Sequence, residues 1–221
     1  MSLLAHDLRN PLSAVMTNVN FVRSSMRGRA PDLEEALSDS ALSCTMLGQV
    51  IGNLDILSRA FSTLPLMKQP TAARSAADEA VVRFAPQAAI CGVRIEAPSG
   101  PDAPVLFVEP NFFARALDNL VANALQYSPA KGKVLIECAA TADRGILVIL
   151  DDGPVIPADL RSLAALPEWQ GQAKLRYEAR YGRGLGLFCA SEAARIAGAE
   201  LSIGDRTGRS TFALSAPLAP R

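Results

Sequence analysis

His6 is the single histidine in 221 residues, and its neighbours suit it to nucleophilic chemistry. A neutral imidazole is a usable nucleophile near pH 7, because its unperturbed pKa is about 6.5. Asp7 stands next to it, placed to orient a nearby group and to accept a proton. Asn10 follows four residues after His6, so on a helix the two share a face. An amide there can position a water beside a phosphorylated imidazole. Pro11 has no N–H, which leaves the carbonyl of Asp7 without its helical partner and predicts a bend.

Three further groups of residues suit a nucleotide. Asn119 and Asn123 are four apart in a segment that reads as a helix, and amide oxygens are hard ligands of the kind Mg²⁺ accepts alongside phosphates and water. Asp151-Asp152-Gly153-Pro154 follows the apolar run Ile146 to Leu150. A carboxylate at a strand end can accept a hydrogen bond from an exocyclic amine such as adenine N6, and the glycine lets backbone approach a flat ring. The same tetrapeptide is also an ordinary turn. Gly182-Arg183-Gly184-Leu185-Gly186-Leu187 leads into a helical stretch, where exposed N–H groups and the helix dipole favour a phosphate chain. It is neither a Walker motif nor a dinucleotide fingerprint. Between these motifs, Pro157 to Tyr181 is long and polar, with Trp169, Lys174, Arg176 and Arg180; it reads as a lid or as a plain surface loop.

These residues need elements to position them. Leu8, Leu12, Val15, Val19, Val22 and Met26 alternate at spacings of 4 and 3, the stripe of a bundle helix. Arg27 to Asp32 breaks it with Gly28 and Pro31. A second stripe runs through Leu33, Leu37, Ser40, Cys44, Leu47, Ile51, Leu54, Ser58 and Phe61. Two such helices form an antiparallel hairpin that exposes half of each stripe, and a second copy completes a four-helix bundle. Thr63 to Pro70 reads as a linker. Beyond it, Ala72 to Phe84 is helical with Pro86 marking its end, and Val93 to Glu96 and Val105 to Val108 are strands. Asn111 to Tyr127 is a helix, and Val134 to Ala140 and Gly145 to Leu150 form a hairpin. Leu185 to Ala197 is a helix, followed by strands at Leu201 to Ile203 and Thr211 to Ala216. The expected fold class is α+β: a helical hairpin over 1–66 forming a dimeric bundle, then an α/β sandwich with a mixed sheet over 67–221.

The totals set bounds. Lys plus Arg and Asp plus Glu are 22 each, so no global field draws the chain to nucleic acid or to a membrane surface. Cys44, Cys91, Cys138 and Cys189 lack metal-ligand spacing and read as small buried residues of a reducing compartment. Neither a signal peptide nor a run long enough to span a bilayer is visible. A cytoplasmic location is expected, and the opening almost directly on His6 suggests the cytoplasmic part of a longer, membrane-anchored protein.

In this order, the four motifs resemble those of the sensor histidine kinases of two-component signalling. His6 to Leu12 resembles the phosphoacceptor box, Asp118 to Pro129 the asparagine box, Asp151 to Pro157 the first glycine box and Gly182 to Leu187 the second. The resemblance implies that His6 takes the γ-phosphoryl group of ATP with Asp7 assisting, and that Asn10 serves a phosphatase activity. It implies Mg²⁺ at Asn123 with Asn119 nearby, and adenine at Asp151. Tyr127, Gly153, Gly182, Gly184, Leu185 and Gly186 would complete the nucleotide pocket. It also implies a homodimer that passes the phosphoryl group to a response regulator aspartate. The chain departs from the family at Gln126, where Lys or Arg is usual, at Val155, where a second glycine is usual, and at Asp152, where asparagine is common. The lid carries no phenylalanine between Pro157 and Tyr181. These departures motivate an alternative to the kinase reading, a histidine phosphotransfer protein or pseudokinase scaffold that does not use ATP. An ATPase of the chaperone or mismatch-repair type is a third reading, which the His6 hairpin argues against.

Overall fold

The computed structural model describes residues 66–97, 103–166 and 185–220, together with scattered positions between 11 and 57. The chain divides into two compact units, Met1–Asp55 and Ile56–Arg221. His6, Asp7, Asn10, Gly182 and Gly184 lie outside the described residues, as do Cys44 and most of the expected lid.

In the first unit, every described position is helical. Thr17 and Ser40 turn their hydroxyls back onto the carbonyls of Ser13 and Ala36 at 2.9 and 2.8 Å, which satisfies them without leaving the helix. The buried seam differs from the expected stripe. Ala36, Ser43 and Val50 are buried, while Leu37 is 52% exposed. A helix with a single intramolecular neighbour buries only part of a bundle-type stripe.

The second unit is an α+β sandwich. Its elements are β1 (Gln69–Ala72), α1 (Ala73–Cys91), β2 (Arg94–Glu96), β3 (Val105–Val108), α2 (Pro110–Tyr127), β4 (Lys133–Ala140), β5 (Arg144–Asp151), a 3₁₀ turn (Ala158–Leu160), α3 (Gly186–Ala197), β6 (Glu200–Arg206) and β7 (Arg209–Pro217). The main sheet has the order β2-β4-β5-β7-β6. β2 runs parallel to β4 and the remaining pairs are antiparallel, so the sheet is mixed as expected. Pleating sends alternate residues to opposite faces. Val134, Ile136, Leu147, Ile149, Phe212 and Leu214 are buried, as are Phe113, Leu117, Leu120 and Leu125 of α2, which packs on β4 and β5. α2 and α3 pack extensively on each other. No helix among the described residues is long and apolar enough to cross a membrane.

Four expectations change. Pro86 does not end α1, which runs on to Cys91. The carbonyl that Pro86 leaves unpaired belongs to Val82, which is 75% exposed, so water can satisfy it. The true stop is Gly92, at φ 65°, with the Val93 N–H donating to the Ala88 carbonyl at 2.9 Å, a Schellman closure. The C-terminal part of the expected linker is strand β1, paired antiparallel with β3 through Gln69–Val108 to Ala72–Val105. Pro70 is tolerated because a two-stranded ribbon has open edges. Of the cysteines, Cys189 is buried, but Cys91 and Cys138 are half-exposed. The β6–β7 connection is tighter than expected, turning on Thr207 and Gly208 with φ of 53° and 79°, the pattern of a two-residue I′ hairpin.

Candidate nucleotide site

α2 starts on a well-made cap. Glu109 accepts from the Phe112 N–H at 2.7 Å, and Pro110 occupies the first turn. Nine buried residues line its inner face. Asn119 and Asn123 lie half-buried along it, one turn apart. The Asn119 Nδ2 donates to the Arg115 carbonyl at 2.9 Å. Among the described residues no donor engages its Oδ1 or the Asn123 side chain. Nearby Asp118 pairs with Arg83 at 2.7 Å; burial nevertheless pushes its carboxyl up, with Arg83 opposing.

The C-terminal end of α2 meets the end of β5. Asp151 is 2% exposed and stands in register with Val134 on one side and Ser210 on the other. Its Oδ1 accepts from the Gly153 N–H at 2.7 Å, which leaves Oδ2 to accept a further donor. Burial pushes this carboxyl up to about 7, against the lowering effects of the Gly153 N–H and of Arg209. A buried carboxylate with an open acceptor position is costly unless a ligand completes it. Burial also pushes the Tyr127 phenol up.

Gly153 is needed for a reason other than close approach to a flat ring. A Cβ there would lie 2.6 Å from Asp151 Oδ1 and 2.9 Å from the Tyr127 carbonyl oxygen. The glycine makes room for the carboxylate it binds and for the end of α2. Gly153→Ala is therefore expected to cost about 1–3 kcal/mol, read as a lower thermal midpoint without any ligand present. An unchanged midpoint would show that the turn opens freely.

α3 begins at Gly186, and its N-cap Leu185 supplies no side-chain hydrogen bond. First-turn N–H groups without a side-chain cap suit an anion. A Cβ on Gly186 would meet nothing within 4 Å. The structure thus brings together Tyr127, Asp151 and Gly153, and sets Asn119 and Asn123 on the helix that packs against the one opening at Leu185 and Gly186.

Sequence reasoning missed the residues that hold the Asp151 turn. Ser210 Oγ donates to the Pro154 carbonyl at 2.9 Å. Asp152 accepts from the Lys133 N–H at 2.7 Å and pairs with Arg209 at 2.8 Å. A polar Arg209-Ser210-Thr211 run opening an otherwise apolar strand was the available signal. Among the described residues, Gln126 Nε2, Ser128 Oγ and Arg209 Nε are buried without a hydrogen-bond partner. The fit to Mg²⁺ rests on amides: among the described residues no cluster of three His, Cys, Asp or Glu could hold a metal. Asn123 would therefore share the ion with phosphates and water, the mode Mg²⁺ prefers.

Comparison with known proteins agrees with this geometry. Residues 108–220 match the family described as Histidine kinase-, DNA gyrase B-, and HSP90-like ATPase. The sensor protein IrlS of Burkholderia pseudomallei is 28% identical over 189 residues, covering 84% of this chain and 39% of IrlS. The histidine protein kinase DivJ of Caulobacter vibrioides is 29% identical over 215 residues, covering 94% of this chain and 35% of DivJ. The chain thus spans little more than a third of these relatives. In fold it is similar to full-length ShkA, solved with AMPPNP, at a TM-score of 0.65, 21% identity, and coverage of 100% of this chain and 46% of ShkA. It is also similar to the Acinetobacter baumannii histidine kinase AdeS, at a TM-score of 0.63, 16% identity, and coverage of 97% and 98%. With a mixed-sheet sandwich and a buried aspartate at the end of β5, the chain belongs to the histidine kinase-, DNA gyrase B- and HSP90-like ATPase family.

Proposed function

We propose that the chain binds ATP, phosphorylates His6 and passes the phosphoryl group to an aspartate of a response regulator. The observation that carries this is Asp151, buried at a strand end with one oxygen held by Gly153 and the other open to a donor. An adenine exocyclic amine fits that position, and the first turn of α3 fits the phosphates. Asn123, with Asn119 one turn away, would hold Mg²⁺, which would supply charge neutralisation on the phosphate oxygens. An imidazole nitrogen of His6 then attacks the γ-phosphorus. The new P–N bond forms as the bond to the bridging oxygen breaks, ADP leaves, and Asp7 takes the imidazole proton. Asn10 positions water for a separate phosphatase step, the hydrolysis of the phosphorylated response regulator. Residues 1–66 form the dimerising hairpin and 67–221 the catalytic domain, and the working unit is a homodimer with a four-helix bundle. The exposed Leu37 supports this, because a second copy would cover it. The setting is cytoplasmic.

Gln126 weighs toward a phosphotransfer or pseudokinase scaffold, since an amide replaces a phosphate-binding cation. Titration calorimetry of ATP with and without Mg²⁺ separates the two. Binding strengthened by Mg²⁺ is the expected result, and no heat at millimolar ATP would favour the scaffold. Light scattering on the same sample should give twice the 23.4 kDa chain mass.

A further inference from the structure

We infer that Arg209 and Asp152 form a clamp that positions the Asp151–Gly153 turn for its ligand. The inference rests on the nucleotide reading for the ligand's identity but not for the clamp itself. The two carboxylate oxygens of Asp152 are engaged by different strands. Oδ2 accepts from the Lys133 N–H at the start of β4, and Oδ1 stands 2.8 Å from Arg209 Nε at the start of β7, an ion pair in which the buried Nε–H makes no aligned hydrogen bond among the described residues. Arg209 also donates through its terminal nitrogen to the Lys133 carbonyl at 3.1 Å. The three residues close a ring, with both backbone groups of Lys133 inside it.

Pleating makes the clamp two-sided. Arg209 and Ser210 are consecutive on β7 and point to opposite faces. Arg209 takes Asp152, before the glycine, and Ser210 takes the Pro154 carbonyl, after it, at 2.9 Å. Gly153 and its N–H bond to Asp151 are held between them. Arg209 and Asp152 are both partly buried, with side chains 25% and 34% exposed, so solvent screens the pair less than an exposed one. Asp152 stands where the family commonly has asparagine. A charge there needs a counter-charge, and Arg209 provides it.

The clamp also sets the charge environment of Asp151. Arg209 favours its ionised form, while Asp152 and burial oppose it. From β4, Lys133 is occupied by Glu96 at 2.6 Å. From α2, the Tyr127 phenol is pushed up by burial and stays neutral.

The test uses the full chain with Arg209→Gln, Arg209→Lys and Asp152→Asn. Without nucleotide, carboxyl NMR follows the Asp151 titration and hydrogen exchange follows the Gly153 amide. Arg209→Gln should move the Asp151 midpoint upward and speed Gly153 exchange roughly tenfold. Arg209→Lys should stay near wild type on both. In an Asp152→Asn background the Arg209→Gln effect on exchange should shrink, as expected for a coupled pair. With Mg²⁺ and ATP, Arg209→Gln should weaken binding by about three- to tenfold while kcat for autophosphorylation stays within about twofold. An Asp151 titration and a Gly153 exchange rate both unchanged by Arg209→Gln would overturn the clamp. Wild-type protein that ignores ATP would instead sink the nucleotide reading, and the ligand-free measurements would still decide the clamp.

Discussion

Replacing Asp151 by Asn is expected to weaken ATP binding by roughly 10- to 100-fold, the range for losing a hydrogen bond to a charged acceptor, while making the folded chain more stable above neutral pH. The two effects share one cause. Burial lifts the Asp151 carboxyl from its ordinary value near 3.8 to about 7. The folded chain therefore holds this proton more tightly than the unfolded chain. Stability contributed by the protonated group is fully present below about pH 4, falls as pH rises, and is lost above about 7. Above that point the folded state carries a buried carboxylate at a cost on the order of 4 kcal/mol before relaxation. Asparagine keeps an oxygen for the Gly153 N–H and carries no charge. At pH 8 the variant should melt about 4–8 °C higher, taking roughly half that cost as recovered. At pH 5 the two proteins should melt within about 2 °C of each other. Fluorimetric melts at both values check this. An equal gain at both pH values would assign the effect to packing, and a loss at pH 8 would mean the carboxylate is already paired.

Replacing His6 by Gln should abolish phosphoryl transfer to the chain, leaving less than about 1% of the wild-type label, because His6 is the one histidine in the sequence and no residue near it in sequence offers a nucleophile of suitable pKa. ATP affinity should be unchanged, since Asp151, Asn123 and α3 all belong to residues 56–221. This separates acceptor from pocket: Asp151→Asn loses binding and hence label, whereas His6→Gln loses label alone. Acid-labile label on His6→Gln at the wild-type level would move the acceptor elsewhere.

The parts of this site that were legible in the sequence are those whose residue types conflict with their surroundings. Asp151 stands out because a carboxylate ends the apolar run Ile146 to Leu150, and Asn119 and Asn123 because they interrupt an apolar helix. The β4–β5 hairpin was legible because two apolar runs, Val134 to Ile136 and Ile146 to Leu150, flank the short connection Thr141 to Arg144. What stayed hidden depends on pairing across the sheet. Arg209 and Asp152 are far apart in sequence, and only the β5–β7 register brings them together. The need for Gly153 was foreseen, but its cause lies in the Tyr127 carbonyl, which no local pattern reveals. Pro86 misled because a proline in a helix is tolerated when the freed carbonyl faces water. β1 was taken for linker because Pro70 is a strand breaker in a central strand but not in a two-stranded ribbon.

The most direct test is incubation of the full chain with γ-labelled ATP and Mg²⁺, with wild type beside His6→Gln and Asp151→Asn. The account predicts acid-labile, base-stable label on wild type, none on His6→Gln, and a label on Asp151→Asn that recovers as ATP is raised. Wild-type protein that binds ATP yet takes no label, or label that survives loss of His6, would contradict it.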